Sequence, residues 1–519
     1  MATHPAAIEH TTELALHEKR KLVKSLGHLD MVFFTVCAIV GVDLLGQVSG
    51  YGAQTFTWVV VLVAVFMYPY ALLMAELGTA FPQEGGPYEW MKLSWGRLLA
   101  GIGAVLYWVT NPFWVGGSLC FAATAAWSAN IGKIGTSSHD LFGITFYGTI
   151  GDYLFKFVFI WISIGVAIVS LRRGKWIPNA GAICRFVVLG LFSVTVVIYA
   201  VEHGLHGYGF GDFQPTKATF IGLVPLLIFG FVGFELQNGA AEEMEDAQRD
   251  VPRSVAKSAV ISSIAYGIPI LGIVTVLPES KITGIAGFMD AVHETFSVYG
   301  GAQNFLTDLM ALGFIFALVT SGAVWMMGSD RIQAVAGYDG AFVGWFGVFS
   351  EKLGTPVRVN VLSGITSTIF MVAAVNLLSS SQANTFTVVL YMAISTTLVS
   401  YILIFPALIK LRMDYPDVHR VFRVPGGNAG LWVVGGICTF WALLGSWVAI
   451  FPDTLERRLG VGYDFVDAWG VSQMRFEVFT LGTLAAVIAF AVIGYVLGKP
   501  VRDRMVDIPL EAATGTAGD

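Results

Sequence analysis

Three ionisable side chains stand in stretches of sequence that are otherwise too apolar for them. Asp43 lies in Ile39-Val40-Gly41-Val42-Asp43-Leu44-Leu45-Gly46, Glu235 closes Phe229-Gly230-Phe231-Val232-Gly233-Phe234-Glu235, and Arg185 opens Arg185-Phe186-Val187-Val188-Leu189. An ionised side chain near the centre of a bilayer costs at least roughly 2.5–3.5 kcal/mol, so it faces protein or a water-filled cavity and finds a partner. Asp43 therefore reads as the acceptor of a substrate ammonium group, or as a structural partner of Arg185 or of a hydroxyl such as Thr320. Glu235 reads as a carboxyl that loads and releases a proton, or as a hydrogen-bonding brace across a helix break. Arg185 cannot deprotonate in a protein, which makes it a fixed counter-ion and not a proton carrier.

The elements that position these groups follow from composition. Of the 519 residues 55% are hydrophobic and 13% charged, against about 25% charged in soluble domains. Runs such as 58–75, 153–171 and 476–497 carry at most one charge over the length that spans a bilayer as a helix. Hydrophobic runs predict twelve spans near 31–49, 57–78, 98–128, 154–171, 182–201, 218–240, 255–277, 303–329, 358–378, 384–409, 429–451 and 476–498. With the N-terminus inside, 23 of the 30 Lys and Arg fall on the inner side, leaving Lys133, Lys156, Lys217, Lys281, Arg457, Arg458 and Arg475 outside. The expected product is an all-α protein of the cytoplasmic membrane with both termini cytosolic.

Spans 1 and 6 each place two glycines and an acid near mid-depth. Glycine lowers helix stability by about 1 kcal/mol relative to alanine. Two such interruptions five spans apart match a 5+5 inverted repeat whose broken helices 1 and 6 expose backbone groups at a midplane substrate site. The predicted organisation is a tail over residues 1–26, a transporter core over 27–413 (spans 1–10), spans 11 and 12 over 414–499, and a tail over 500–519. Spans 11 and 12 carry no ionisable residue in their apolar stretches and read as scaffold or dimer surface, off the transport pathway. The segment after Val506 reads as disordered.

Four stretches resemble the amino acid–polyamine–organocation (APC) superfamily of transporters: the span 1 break; Ala75-Glu76-Leu77-Gly78 with Phe81-Pro82-Gln83-Glu84-Gly85-Gly86-Pro87-Tyr88-Glu89-Trp90; Gly233-Phe234-Glu235 with Ala241-Glu242-Glu243 and Arg249-Asp250-Val251-Pro252-Arg253; and Asp339-Gly340 with Arg420-Val421-Phe422-Arg423-Val424-Pro425-Gly426-Gly427. The resemblance implies alternating access. It also implies a substrate site made by the backbone N–H groups of Val40, Gly41 and Val42 together with Asp43, by the span 6 break at Phe229, Gly230, Phe231 and Gly233, and by Trp325 stacking on the substrate. It places Phe229 as an aromatic gate, Glu235 as the acid that links pH to transport, Arg185 where proton-coupled relatives carry a lysine, and Thr320 and Ser321 where sodium-coupled relatives place hydroxyl ligands. Asp43 replaces a glycine of the family motif, and its carboxylate would repel a substrate carboxylate. That shifts the expected substrate toward an amine or a cationic amino acid.

The expected function is a secondary active transporter of an amino acid or small amine or polyamine, proton-coupled or exchanging. The alternatives are a sodium-coupled symporter, or a sensor or channel on the same fold. No cofactor, enzyme motif or metal spacing is expected: Cys37, Cys120, Cys184 and Cys438 all lie in hydrophobic stretches without ligand spacing. Net charge is −6 and lacks a basic footprint for nucleic acid. The expected partners are the small-molecule substrate and membrane lipid. The charged loop Glu242, Glu243, Glu245, Asp246, Arg249 and Arg253 reads as a solvated face or as a latch on the closed state.

Overall fold

The structure is a computed structural model that describes residues 8–135, 139–141, 144–146, 148–173, 175–205, 208–278, 281–282, 287–377 and 382–509. Among these residues twelve helices are long and apolar enough to cross a membrane: His28–Ser49, Gln54–Ala80, Arg97–Asn130, Ile150–Val169, Trp176–His203, Lys217–Glu243, Ala247–Val276, Gly287–Tyr338, Val357–Asn376, Phe386–Asp414, Gly427–Ile450 and Gln473–Leu497. They agree with the twelve hydrophobic runs and are numbered here as spans 1–12. The chain is an all-α, multi-pass membrane protein.

Burial sorts the spans. Spans 1 and 6 are 89% buried over their apolar windows, whereas span 12 is 28% buried. The two interrupted spans therefore sit at the centre and the uninterrupted span 12 at the periphery. Both interruptions are real breaks. Span 1 is helical over His28–Ile39, leaves helical geometry at Val40 (ψ 82°) and Gly41 (ψ 103°), and resumes at Val42–Ser49. Span 6 is helical over Lys217–Phe231, turns out at Val232 (ψ 157°), and resumes as a tighter helix over Leu236–Glu243. Between these halves Gly233 takes a φ of +132°, and a Cβ there would lie 3.1 Å from Ile39 and 3.2 Å from Trp325. Only glycine combines that dihedral with so close an approach.

The described segments nearest the two ends lie together on one face, as an even number of spans requires. The strand Ile8–Thr12 pairs antiparallel with Met505–Pro509, and Thr12 donates its hydroxyl to Tyr338 O at 2.5 Å. This corrects the expectation that everything after Val506 is disordered, because Val506–Pro509 find ladder partners in the other tail. Residues 510–519 lie outside the described residues. The face bearing this strand pair is called the tail face below.

Candidate functional site

The second half of span 1 starts at Val42, so Asp43 occupies its first turn, where the helix N-terminus favours a negative charge. The side chain is buried, at 1% exposure. Its Oδ2 accepts a hydrogen bond from Trp114 Nε1 at 3.3 Å, and its Oδ1 has no hydrogen-bond partner among the described residues. Trp114 is followed by a wide, π-helical turn over Val115–Leu119, which begins three residues after Pro112. Such turns re-aim side chains and recur at functional sites.

An aromatic wall extends from this carboxylate. The Trp114 ring meets Phe229 at 5.9 Å and Trp325 at 6.4 Å, both edge-on, and Trp325 lies 6.2 Å from Tyr107. Trp325 is held by donating Nε1–H to Ala38 O at 2.8 Å, next to the span 1 break. Spans 1, 3, 6 and 8 thus meet at one place, where Asp43, Phe229, Gly233 and Trp325 lie near one another. Phe231, two residues further round the helix, faces away from this wall and packs on Tyr266 of span 7 at 5.4 Å, behind the two breaks. Tyr266 ties the two breaks, accepting from Gly41 N–H at 3.0 Å and lying with its hydroxyl 2.8 Å from Ile39 O and 3.0 Å from Gly230 O. Val40 N–H bonds Val36 O at 2.9 Å and Gly41 N–H also reaches Ile39 O at 2.8 Å. Two of the three N–H groups expected to hold a substrate carboxylate are therefore engaged within the protein.

Arg185 is fully buried and makes no ion pair with Asp43 among the described residues. Its Nε donates to Val40 O at 3.0 Å, its Nη1 to Gly181 O at 2.9 Å, Thr320 Oγ1 at 3.0 Å and Cys37 Sγ at 3.1 Å, and its Nη2 to Ala317 O at 2.6 Å and to Ser321 Oγ. The guanidinium bridges spans 1, 5 and 8 and takes up the hydroxyls of Thr320 and Ser321. Replacing it by alanine removes a donor from Val40 O, Gly181 O, Ala317 O and the Thr320 and Ser321 hydroxyls, and each buried acceptor left without another partner costs roughly 1–3 kcal/mol. Arg185→Ala is expected to lower the melting temperature of the purified protein by well over about 5 °C, with partial recovery in sodium but not in choline, because the vacated oxygens suit a hard cation. Thermal unfolding in the two salts checks this.

Glu235 is fully buried beside the span 6 break. Its Oε1 accepts from the hydroxyls of Tyr107, at 2.5 Å, and Tyr401, while Oε2 has no hydrogen-bond partner among the described residues. Tyr70 extends the network, 3.5 Å from Tyr401 by its hydroxyl and accepting from Gly233 N–H at 2.9 Å and Phe234 N–H at 3.1 Å. Trp114, Tyr107, Tyr401, Tyr70 and Tyr266 are site residues that the sequence does not single out. The usable signals are prolines inside spans, Pro69 next to Tyr70, Pro112 near Trp114, Pro269 near Tyr266 and Pro406 near Tyr401, which mark local irregularity.

On the tail face the carboxylates of the motif stretches are held in ion pairs, most of them buried. Arg331 lies 2.6 Å from Glu243 and 3.5 Å from Glu84, and Glu242 pairs with Lys19 at 2.7 Å. Asp339 accepts from Tyr88 at 2.6 Å and Arg97 at 2.8 Å. Glu76 pairs with Arg412 and lies 3.4 Å from Arg420. Glu243 of the charged loop is thus buried in an ion pair with Arg331, whereas Asp246 caps span 7 by accepting from Arg249 N–H.

Burial, and then the neighbouring Glu243, hold the Glu84 carboxyl well above its ordinary value of 4.5, with Arg331 pulling the other way. One guanidinium between two carboxylates leaves one of them to keep a proton. A raised folded-state value means that this stabilisation is full below the ordinary value and is lost as pH rises through the raised one. Melting temperature is therefore expected to fall as pH is raised above 4.5, and Glu84→Gln should flatten that slope in a melting series across pH.

An amino acid permease family model matches residues 26–463. A probable agmatine/putrescine antiporter of Lactococcus lactis is 25% identical over 76% of this chain and 82% of that protein. An uncharacterized transporter of Legionella pneumophila is 27% identical over 83% of this chain and 90% of that protein. A branched-chain amino acid permease of Bacillus subtilis is 24% identical over 85% and 92%. With its interrupted central spans and a family match covering most of its length, the chain belongs to the amino acid permease family of the APC superfamily.

Proposed function

We propose that the protein is a secondary active transporter that carries a small organic amine or a cationic amino acid by alternating access, with spans 1–5 and 6–10 as inverted repeats. The observation that carries the reading is Asp43: a buried carboxylate with one unpartnered oxygen, facing an aromatic wall, where the family motif has glycine. A carboxylate there repels a substrate carboxylate and attracts an ammonium group, which aromatic faces also favour. The likeness to an agmatine/putrescine antiporter agrees with this substrate class. The likeness to a branched-chain permease supports an amino acid as the second reading, and the mostly apolar wall would accept one.

Glu235 is proposed as the proton carrier, since it is buried without a cationic partner in hydrogen-bond reach among the described residues. Occupation of Thr320 and Ser321 by Arg185 supports proton coupling or exchange over sodium coupling. The lysine and arginine distribution supports a cytoplasmic-membrane location with the tail face inside. Uptake by proteoliposomes, with and without a pH gradient, tests the reading on putrescine, agmatine, arginine and leucine. Putrescine or agmatine should compete best; preferred transport of leucine would overturn the amine assignment.

A further inference from the structure

On the face opposite the tails, the outer ends of spans 1, 6 and 10 and the loop after span 11 enclose a cavity of about 390 Å³, within the range of small-molecule sites. Gln47, one helical turn beyond Asp43 on the same half-helix, lies on its wall, so one side of the cavity is reached from Asp43 along a single turn of helix. Tyr51, Tyr391, Tyr463 and Trp469 supply aromatic walls. They are fixed: Tyr391 donates to Gly222 O at 3.1 Å, Trp469 Nε1 donates to the Tyr463 hydroxyl at 3.0 Å, and the Tyr391 and Trp469 rings meet edge-on at 4.6 Å.

One acid enters this box. Glu456, on the short helix Thr454–Arg458, lines the cavity, is 6% exposed, and has no hydrogen-bond partner for Oε2 among the described residues. The adjacent Arg457 does not answer it, because its guanidinium bonds Asp453 and, at 3.2 Å, Gln473. A buried carboxylate without a cation, sharing a cavity wall with tyrosine and tryptophan side chains, is an arrangement suited to an organic ammonium ion. Burial, with Asp453 adding to it, raises the Glu456 carboxyl above its ordinary range, a cost that a bound cation would relieve.

We propose that this cavity is a second binding site, for a small organic ammonium ion, with Glu456 as counter-charge, and that substrate halts there on its way to Asp43. The choice of ligand rests on the amine reading given above; the site rests on Glu456 and its aromatic walls. Equilibrium binding of radiolabelled putrescine to the purified full-length protein tests it. Wild type should bind two molecules per chain, Asp43→Asn one, Glu456→Gln one, and the double variant none. Glu456→Gln should also raise the KM for putrescine uptake about tenfold with little change in kcat, as loss of a charge-assisted contact requires. A single site removed entirely by Asp43→Asn and untouched by Glu456→Gln overturns the second site and leaves the amine reading standing. Absence of binding to wild type overturns both. Should Glu456→Gln fold poorly, Ala468→Cys on the cavity wall in an Asp43→Asn background gives an independent readout. Putrescine should slow its labelling by a thiol reagent, and an unchanged rate overturns the site.

Discussion

Replacing Asp43 by glycine is expected to reverse substrate preference from amines to amino acids. In the wild type the Asp43 carboxylate sits in the first turn of the half-helix Val42–Ser49, next to the span 1 break. It occupies the place where an incoming carboxylate would meet positive helix-end potential. Removing it takes away the counter-charge for an ammonium group and frees the helix terminus for an anion. Loss of one partner from a buried charge pair costs about 2–5 kcal/mol, so amine uptake should fall roughly 30-fold or more. Uptake of an amino acid of matching side chain should rise in the same variant. Asp43→Asn separates the two effects, since it removes the charge but keeps the bulk: the amine should be lost without the gain of an amino acid. The ratio of kcat/KM for putrescine and for the amino acid, in all three proteins, is the measurement. An unchanged ratio in Asp43→Gly would return Asp43 to a purely structural role.

Glu235→Gln is expected to abolish accumulation against a gradient while leaving exchange in place. The amide keeps the size of the carboxyl and can still accept from Tyr107 and Tyr401 through its oxygen, so the brace across the span 6 break persists. What it cannot do is bind and release a proton. Uptake into proteoliposomes under an imposed pH gradient should therefore drop to the equilibrium level, a loss of the whole concentrative component, with counterflow retained. Tyr401→Phe should fall between the two proteins, because it removes one donor and keeps the acid. Full accumulation by Glu235→Gln would exclude this carboxyl as the coupling group and direct attention to Asp43.

The positions of both acids are legible in the sequence itself, because the signal is local. Two glycines and a carboxylate inside an apolar run conflict with a continuous helix wherever they occur, and the breaks at Val40–Gly41 and Val232–Glu235 fall there. Arg185 is legible as a buried charge, but the pairing with Asp43 that its sequence position allows does not form. Its N–H groups are spent instead on carbonyls and hydroxyls of spans 1, 5 and 8. The aromatic groups that complete the site are not legible. Trp114, Tyr107 and Tyr401 are three among 14 Trp and 17 Tyr, and nothing in their local sequence separates a site residue from core packing. Spans 11 and 12 likewise show no pathway signal in their apolar stretches, yet the loop between them brings Glu456 and Trp469 to the wall of the outer cavity.

Sequence alone determined how many hydrophobic spans the chain has, which of them break, and three of the charges buried within them; Glu76, Asp152, Lys156, Asp330 and Arg331, also buried inside spans, it did not single out. What it determined are properties of short stretches, set by the cost of placing charge and unpaired backbone in hydrocarbon. Only the tertiary structure decided the partners: Trp114 for Asp43 across 71 residues, Tyr107 for Glu235 across 128, and Tyr401 across 166. A buried polar group must be satisfied by whatever donor the packing of helices brings within about 3 Å, and that distance has no counterpart along the chain.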